Sequence, residues 1–169
     1  NCVMKKMMIT LLSTALLMTG CFTSVSTTAS SARVMSTNEV RENARFLTDR
    51  MGYELNLSTG QYNDIYEINY DFIFNARYVM NDVLLGDEWA LDSYYRYLDV
   101  RNDDLRWVLS YAQYTRFMER EYFYRPIYST GSTWGFRVYT VYNNPKYYYY
   151  SKPVGYRTYS GTHYRTSNN

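Results

Sequence analysis

The stretch Leu57-Ser58-Thr59-Gly60-Gln61-Tyr62 recurs 52 residues later as Leu109-Ser110-Tyr111-Ala112-Gln113-Tyr114. Both copies have the form L-S-x-x-Q-Y, which is the signature of a capping box. In a capping box the Ser hydroxyl accepts from the backbone N–H three residues on, and the Gln side chain bonds back to the Ser N–H. The Leu before the cap and the Tyr after the Gln lie where a hydrophobic staple forms. The two copies therefore predict two helix starts, each directly after the end of a preceding helix.

The same capping-box pattern, with Glu39 in place of the Gln, predicts a third helix start at Ser36. Four blocks of apolar residues at helical spacing follow these starts, and no Pro interrupts residues 36–125 before Pro126 stops the last helix. We therefore expect a mainly α fold, with four helices in an antiparallel or cradle-like arrangement over residues 36–125. The stripes are Val40, Ala44, Leu47, Met51; Ile65, Ile68, Phe72, Ala76, Val79, Val83; Leu91, Tyr94 or Tyr95, Leu98, Leu105, Val108; and Tyr114, Phe117, Met118, Tyr122.

Beyond Pro126 the periodicity changes from helical to alternating. Residues 133–142 alternate with Trp134, Phe136 and Val138 on one face, and an Asn-Asn-Pro-Lys turn at 143–146 precedes Tyr147 to Tyr150. We expect a Tyr-rich β-hairpin over residues 126–152 and a polar tail over 153–169. Because an isolated two-stranded hairpin is marginal in water, its apolar face should pack on the helices or pair with another chain.

Charge is distributed unevenly along the chain. All 16 acidic residues lie between Glu39 and Glu121, and the 48 residues that follow carry six basic residues and no acid. A basic tail can meet an anionic surface or a nucleic acid. Six charges over that length are not a dense patch, which favours a tail that folds back on its own acidic helices. We expect no nucleic-acid partner.

The N-terminal segment is typical of an exported protein. Lys5 and Lys6 precede a mostly apolar run from Met7 to Gly20, which is too short for a resident membrane helix and fits a signal-peptide core. Residues 1–32 are assigned to the signal-peptide region. Met18-Thr19-Gly20-Cys21 resembles a bacterial lipobox, which would make Cys21 a lipid anchor, whereas Ser30-Ser31-Ala32 suits ordinary signal peptidase. Both processing routes predict a periplasmic or cell-envelope location, membrane-anchored in the first case.

The paired L-S-x-x-Q motifs and the helices around them resemble the LTxxQ-motif (Spy/CpxP-like) family of bacterial periplasmic proteins, over about residues 38–124. The resemblance implies a four-helix cradle, often an antiparallel dimer, that binds non-native or partner proteins without ATP. It also implies that the motif residues brace helix junctions and perform no chemistry. The chain is similar as well to exported proteins of Bacteroidetes bacteria, at Asn69 to Phe72 and Glu121 to Pro126, with no activity implied. The motif residues carried over are Leu57, Ser58, Gln61, Leu109, Ser110 and Gln113.

An aromatic run with a period of four residues marks the second helix: Tyr62, Tyr66, Tyr70, Phe74 and Tyr78. At about 100° per residue, steps of four drift by about 40°, so the stripe wraps around the helix and part of it should be exposed or covered by another element. The functional hypothesis is an amphiphilic client-binding face, because Tyr offers apolar area together with a hydroxyl. The alternative is core packing under the C-terminal segment, which is the commoner role of such stripes.

Two sets of three acidic residues have spacings that can hold a hard cation or an acid–base pair. The first set is Asp64, Glu67 and Asp71, and the second is Asp87, Glu88 and Asp92. A solvated face with Arg partners, such as Asp92 with Arg96, is the commoner arrangement. His163 is the only His, and no Cys follows Cys21. We therefore expect no enzyme activity, no metal and no cofactor.

These observations together predict a non-enzymatic cell-envelope protein, chaperone-like or related to envelope stress. It would bind non-native or envelope proteins through an aromatic helical surface, with a homodimer as a further expectation. The alternative is a structural or adhesive envelope protein whose basic Tyr-rich C-terminal segment binds a surface polymer or glycan.

Overall fold

The structure, a computed structural model, describes residues 33–153. It is mainly helical, with one two-stranded antiparallel sheet. The signal-peptide region, Cys21 and nearly all of the polar tail lie outside the described residues. The elements in chain order are α1 (Thr37–Leu55), α2 (Thr59–Leu84), α3 (Glu88–Val108), α4 (Tyr111–Met118), α5 (Glu121–Tyr124), β1 (Ile127–Ser129), β2 (Trp134–Phe136) and α6 (Val138–Val141).

The helix starts lie where the capping motifs predict them. Ser36, Ser58 and Ser110 cap α1, α2 and α4, and in each case both hydrogen bonds of the capping box are present. Asp87 caps α3 and accepts from the backbone N–H of Ala90 at 2.8 Å. Side-chain acceptors thus satisfy backbone donors that the first turns of these four helices leave free.

The long helices pack against one another in chain order, α1 on α2 and α2 on α3. Asn69 in the middle of α2 donates to Thr48 of α1 at 2.9 Å and accepts from Arg101 of α3 at 2.8 Å, so one buried amide joins all three helices. Arg101 also donates to the carbonyl of Phe123 at 2.9 Å. Burial lowers the pKa of Arg101 to about 9, which reflects the cost of holding a cation in the interior.

The predicted fourth helix is interrupted. α4 ends at Met118, and α5 is a separate single turn, with Glu119 and Arg120 between them. The break lets Arg120 reach back to the Glu54 carboxylate of α1 at 3.1 Å, while Tyr122 donates to the same carboxylate.

The C-terminal hairpin differs from its prediction. β1 pairs with β2 in the register Ile127 to Phe136, and the chain then forms the helical turn α6 where a strand was expected. Residues 147–150 form no strand either, because the backbone N–H groups of Tyr149 and Tyr150 donate to the Asp49 carboxylate at 2.9 Å each. The prediction of strands over 133–142 and 147–150 is therefore wrong beyond Phe136.

The tyrosine segment, which we define as residues 142–150, packs on α1. Arg50 of α1 is buried and donates to the carbonyls of Asn144 and Tyr147 at 3.2 and 2.8 Å. Its guanidinium lies within 6 Å of four aromatic rings, an arrangement in which cation–π attraction offsets part of the cost of burying the charge. Those rings belong to Phe46, Tyr142, Tyr147 and Tyr149.

Candidate binding surface

The predicted aromatic stripe of α2 is mostly interior. Tyr62, Tyr66 and Tyr70 are buried and Phe74 is half-buried, so only Tyr78 is largely exposed. The expectation of a client-binding face made of all five residues is therefore not met. Core packing, the alternative weighed for this stripe, describes the buried residues, and of these Tyr62 stacks on a residue of the C-terminal segment.

One residue of the tyrosine segment, Tyr150, covers the first aromatic of the stripe. The ring of Tyr150 stacks on Tyr62 with centroids 4.9 Å apart, and its hydroxyl donates to the carbonyl of Gly52 at 2.7 Å. Gly52 makes this approach possible, because a Cβ at that position would lie 2.8 Å from the Tyr150 ring. Gly52 on α1 thus leaves room for the Tyr150 ring that covers Tyr62.

The two L-S-x-x-Q motifs meet in space. The Gln61 amide donates to Gln113 Oε1 at 2.8 Å, and the Gln113 amide donates back to Gln61 Oε1 at 3.2 Å. Gln61 also donates to the carbonyl of Val108, at the end of α3. In return, Gln113 donates to the carbonyls of Leu55 and Asn56 at the end of α1. Each motif therefore closes the helix end that precedes the other, and Leu57 and Leu109 are buried beside it.

The two sets of acidic residues singled out in the sequence differ in their surroundings. Asp87 is the N-cap of α3, and Arg96 donates to Ser93 at 3.0 Å rather than to Asp92. Glu67 is buried, contrary to the expectation of a solvated face. Burial, together with the charges of Asp71 and Asp64, raises the pKa of Glu67 to about 7. Within residues 33–153, no group of three or more His, Cys, Asp or Glu side chains is placed to hold a metal ion.

The exposed aromatic surface lies on α3. Trp89 is 83% exposed, Val100 50% and Trp107 63%. At about 100° and 1.5 Å per residue, these three side chains fall within about 20° of one line along the helix and span about 27 Å. We call this line the tryptophan face. Tryptophan is enriched at interfaces, where its large apolar side chain is covered by a partner.

Four acidic residues, Glu88, Asp92, Asp99 and Asp103, border the tryptophan face on one side. By the same helical rotation of about 100° per residue, they lie within about 60° of one another. All four are exposed, and within the described part of the chain none forms an ion pair. The surface therefore combines apolar area with the carboxylates of Glu88, Asp92, Asp99 and Asp103, and the same rotation places the exposed Arg96 and Arg106 beside them.

This surface was not predicted from the sequence, because the prediction for α3 followed its buried stripe, of which Tyr94, Leu98 and Leu105 are indeed buried. The available signal was the spacing of Trp89, Val100 and Trp107. Separations of 11 and 7 residues return to the same face of a helix.

Comparison with known protein families, curated proteins and solved structures finds no match to this chain. None of the helices within residues 33–153 has the length and apolar character needed to cross a bilayer. The function is therefore inferred from the geometry of the surfaces described above.

Proposed function

We propose that the protein is a non-enzymatic, chaperone-like binding protein of the bacterial cell envelope that holds basic amphipathic segments of non-native or partner proteins on the tryptophan face of α3. The observation that carries the proposal is the alignment of Trp89, Val100 and Trp107 beside four exposed carboxylates. An amphipathic segment with basic residues would cover the indole rings and pair with the acids.

The cell-envelope location rests on the apolar run from Met7 to Gly20 after Lys5 and Lys6. The resemblance to the LTxxQ-motif family adds the expectation of a cradle formed by two antiparallel copies and of activity without ATP. A lipid anchor at Cys21 stays part of the proposal as one of the two processing routes.

The adhesive alternative has less support, because the tyrosine segment is largely used for internal packing. The exposed ring of Tyr149 stacks on Tyr53 at 4.0 Å, and the Arg50 guanidinium lies over it at 4.8 Å. A sugar needs a free aromatic face, and those contacts occupy the ring. A deletion of residues 127–169 would not distinguish chaperone-like binding from adhesion, because it would also expose Arg50 and the helix face that the segment covers.

The experiment measures how well the protein suppresses the aggregation of two reduced clients, basic lysozyme and acidic α-lactalbumin. We expect protection of lysozyme at low ionic strength, weaker protection of α-lactalbumin, and a decrease as salt screens the acids. Trp89→Ser with Trp107→Ser should remove most of the protection while circular dichroism shows unchanged helix content. Val141→Ser, which changes an exposed apolar residue of α6, is the matched control. Equal protection by the double variant and the control would refute the proposal.

A further inference from the structure

A cavity of about 190 Å³ lies on another side of α3 from the tryptophan face, between α2, α3 and the β-hairpin. Apolar and polar side chains from three separate elements line it, and it is partly open to solvent. It is smaller than the sites that hold drug-sized ligands. The apolar lining residues are Met80, Val83, Leu91, Leu98 and Ile127.

Two arginines, Arg125 and Arg137, line the same cavity. The hairpin brings them together, because the backbone N–H of Arg137 donates to the carbonyl of Pro126 at 2.8 Å, one step before the pairing of Ile127 with Phe136. Both arginines are also near enough to the Tyr94 hydroxyl to affect its pKa, which burial raises to about 12. The cavity thus has an apolar wall and a cationic edge.

The positive charge at this edge is poorly neutralised. Arg125 contacts the Tyr124 ring at 5.6 Å, and its guanidinium has no hydrogen bond or ion pair among residues 33–153. Arg137 is 3.6 Å from the exposed carboxylate of Glu121, and its buried Nε lacks a hydrogen-bond partner in the described structure. After Glu121 the chain carries no acidic residue, so no carboxylate of the hairpin competes for these cations.

We infer that this cavity binds a small single-chain carboxylate amphiphile, of the class of medium-chain fatty acids, with its acyl chain against Met80, Val83 and Leu98 and its carboxylate at Arg125 and Arg137. The apolar wall favours a hydrocarbon chain, and the paired guanidinium groups favour a carboxylate over a neutral or cationic head group. The site is separate from the tryptophan face and does not depend on the proposed function.

The test is isothermal titration calorimetry of the whole protein with decanoate, decanol and decylamine, each below its aggregation concentration. We expect saturable binding of decanoate at one site and about tenfold or weaker binding of the other two, because they lack the carboxylate. Arg125→Gln with Arg137→Gln should weaken decanoate binding by about tenfold, whereas Arg125→Lys with Arg137→Lys should retain most of it.

Arg106→Gln, an exposed change on α3 outside the cavity lining, is the matched control. If the double Gln variant fails to fold, the single exposed change Arg125→Gln still tests the site and should weaken binding by about threefold or more. Equal affinity for decanoate and decanol, binding unchanged by loss of the arginines, or no saturable binding would overturn the inference. Protection of reduced lysozyme should be unaffected by these substitutions, which separates this result from the proposed function.

Discussion

The side-chain amides of Gln61 and Gln113 donate to each other at 2.8 and 3.2 Å, and each also donates to the helix end that precedes the other. Their Oε1 atoms accept from the backbone N–H groups of Ser58 and Ser110 as well. All donor and acceptor positions of both amides are therefore used. A motif that caps a helix locally also joins two helix junctions across the fold.

This relationship predicts that Gln61→Glu destabilises the protein although it preserves a capping box. The Glu could still accept from Ser58, but it would leave the carbonyl of Val108 without its donor. We expect the free energy of unfolding to fall by about 1–3 kcal/mol in urea denaturation. Glu39→Gln in the exposed capping box of α1 is the matched control, with an expected change below about 1 kcal/mol. Equal effects of the two substitutions would show that Gln61 is only a local cap.

The pairing of the two amides predicts energetic coupling. In a double-mutant cycle of Gln61→Ala and Gln113→Ala, the two changes should not be additive, with a coupling energy of about 0.5–3 kcal/mol in the free energy of unfolding. The control pair is Gln61→Ala with Glu39→Ala, in which the two sites share no hydrogen bond. Additive effects for the two glutamines would argue against the contact.

Because Gly52 contacts the Tyr150 ring, we expect the effect of Gly52→Ala on stability to change sign when that ring is removed. Gly52→Ala should lower thermal stability, because the new methyl group would displace a ring that stacks on Tyr62. In a Tyr150→Ala background the same change should raise stability by about 0.5–1 kcal/mol, since Ala is the better helix former. A stabilising effect of Gly52→Ala in the wild-type background would mean that the ring does not occupy this position.

Because Glu67 is buried, we expect the stability of the protein to fall as the pH rises. Its pKa is raised from the ordinary value of 4.5 to about 7, chiefly by burial, so the folded state binds this proton more tightly than the unfolded chain. Stability should therefore decrease as the pH rises from about 4.5 through 7. Glu67→Gln should remove this dependence and should be more stable than wild type at pH 8, by on the order of 1–2 kcal/mol. Glu119→Gln, at an exposed carboxylate, should leave the wild-type pH profile unchanged, and a flat wild-type profile would contradict the prediction.

We expect the Asp49 carboxylate to hold the tyrosine segment on α1. Asp49→Ala removes the acceptor for the N–H groups of Tyr149 and Tyr150 and leaves the buried Arg50 without its carboxylate at 3.6 Å. We expect a loss of about 3–5 kcal/mol in the free energy of unfolding, because the partner cation stays buried. Limited proteolysis should cleave within residues 142–150 at lower protease concentration than in wild type. Asp92→Ala, at an exposed carboxylate, is the control, and equal protease resistance of the two variants would contradict the role of Asp49.

The helix starts were predictable because a capping box is a contact between residues three apart, and sequence contains both partners. The same is true of the core stripe of α1, where Val40, Ala44, Leu47 and Met51 are all buried. The hairpin was predictable only in part. Residues 133–142 alternate, but a strand also needs a partner, and β1 begins only at Ile127, the residue that pairs with Phe136. The remaining N–H groups then bond elsewhere, those of Tyr149 and Tyr150 to a side chain of α1.

The binding surface was less predictable than the fold, because the tertiary structure decides which aromatic residues another element covers. Tyr62 and Trp89 are both large aromatic side chains of long helices, yet the first lies under Tyr150 and the second faces solvent. By itself the sequence determined the helix starts, the long amphipathic helices and the recurrence of the Ser-x-x-Gln motif, all of which depend on residues close together in the chain. Only the tertiary structure decided that Gln61 meets Gln113, that the tyrosine segment packs on α1 and that the tryptophan face is open, because each depends on contacts between residues that are distant in the sequence.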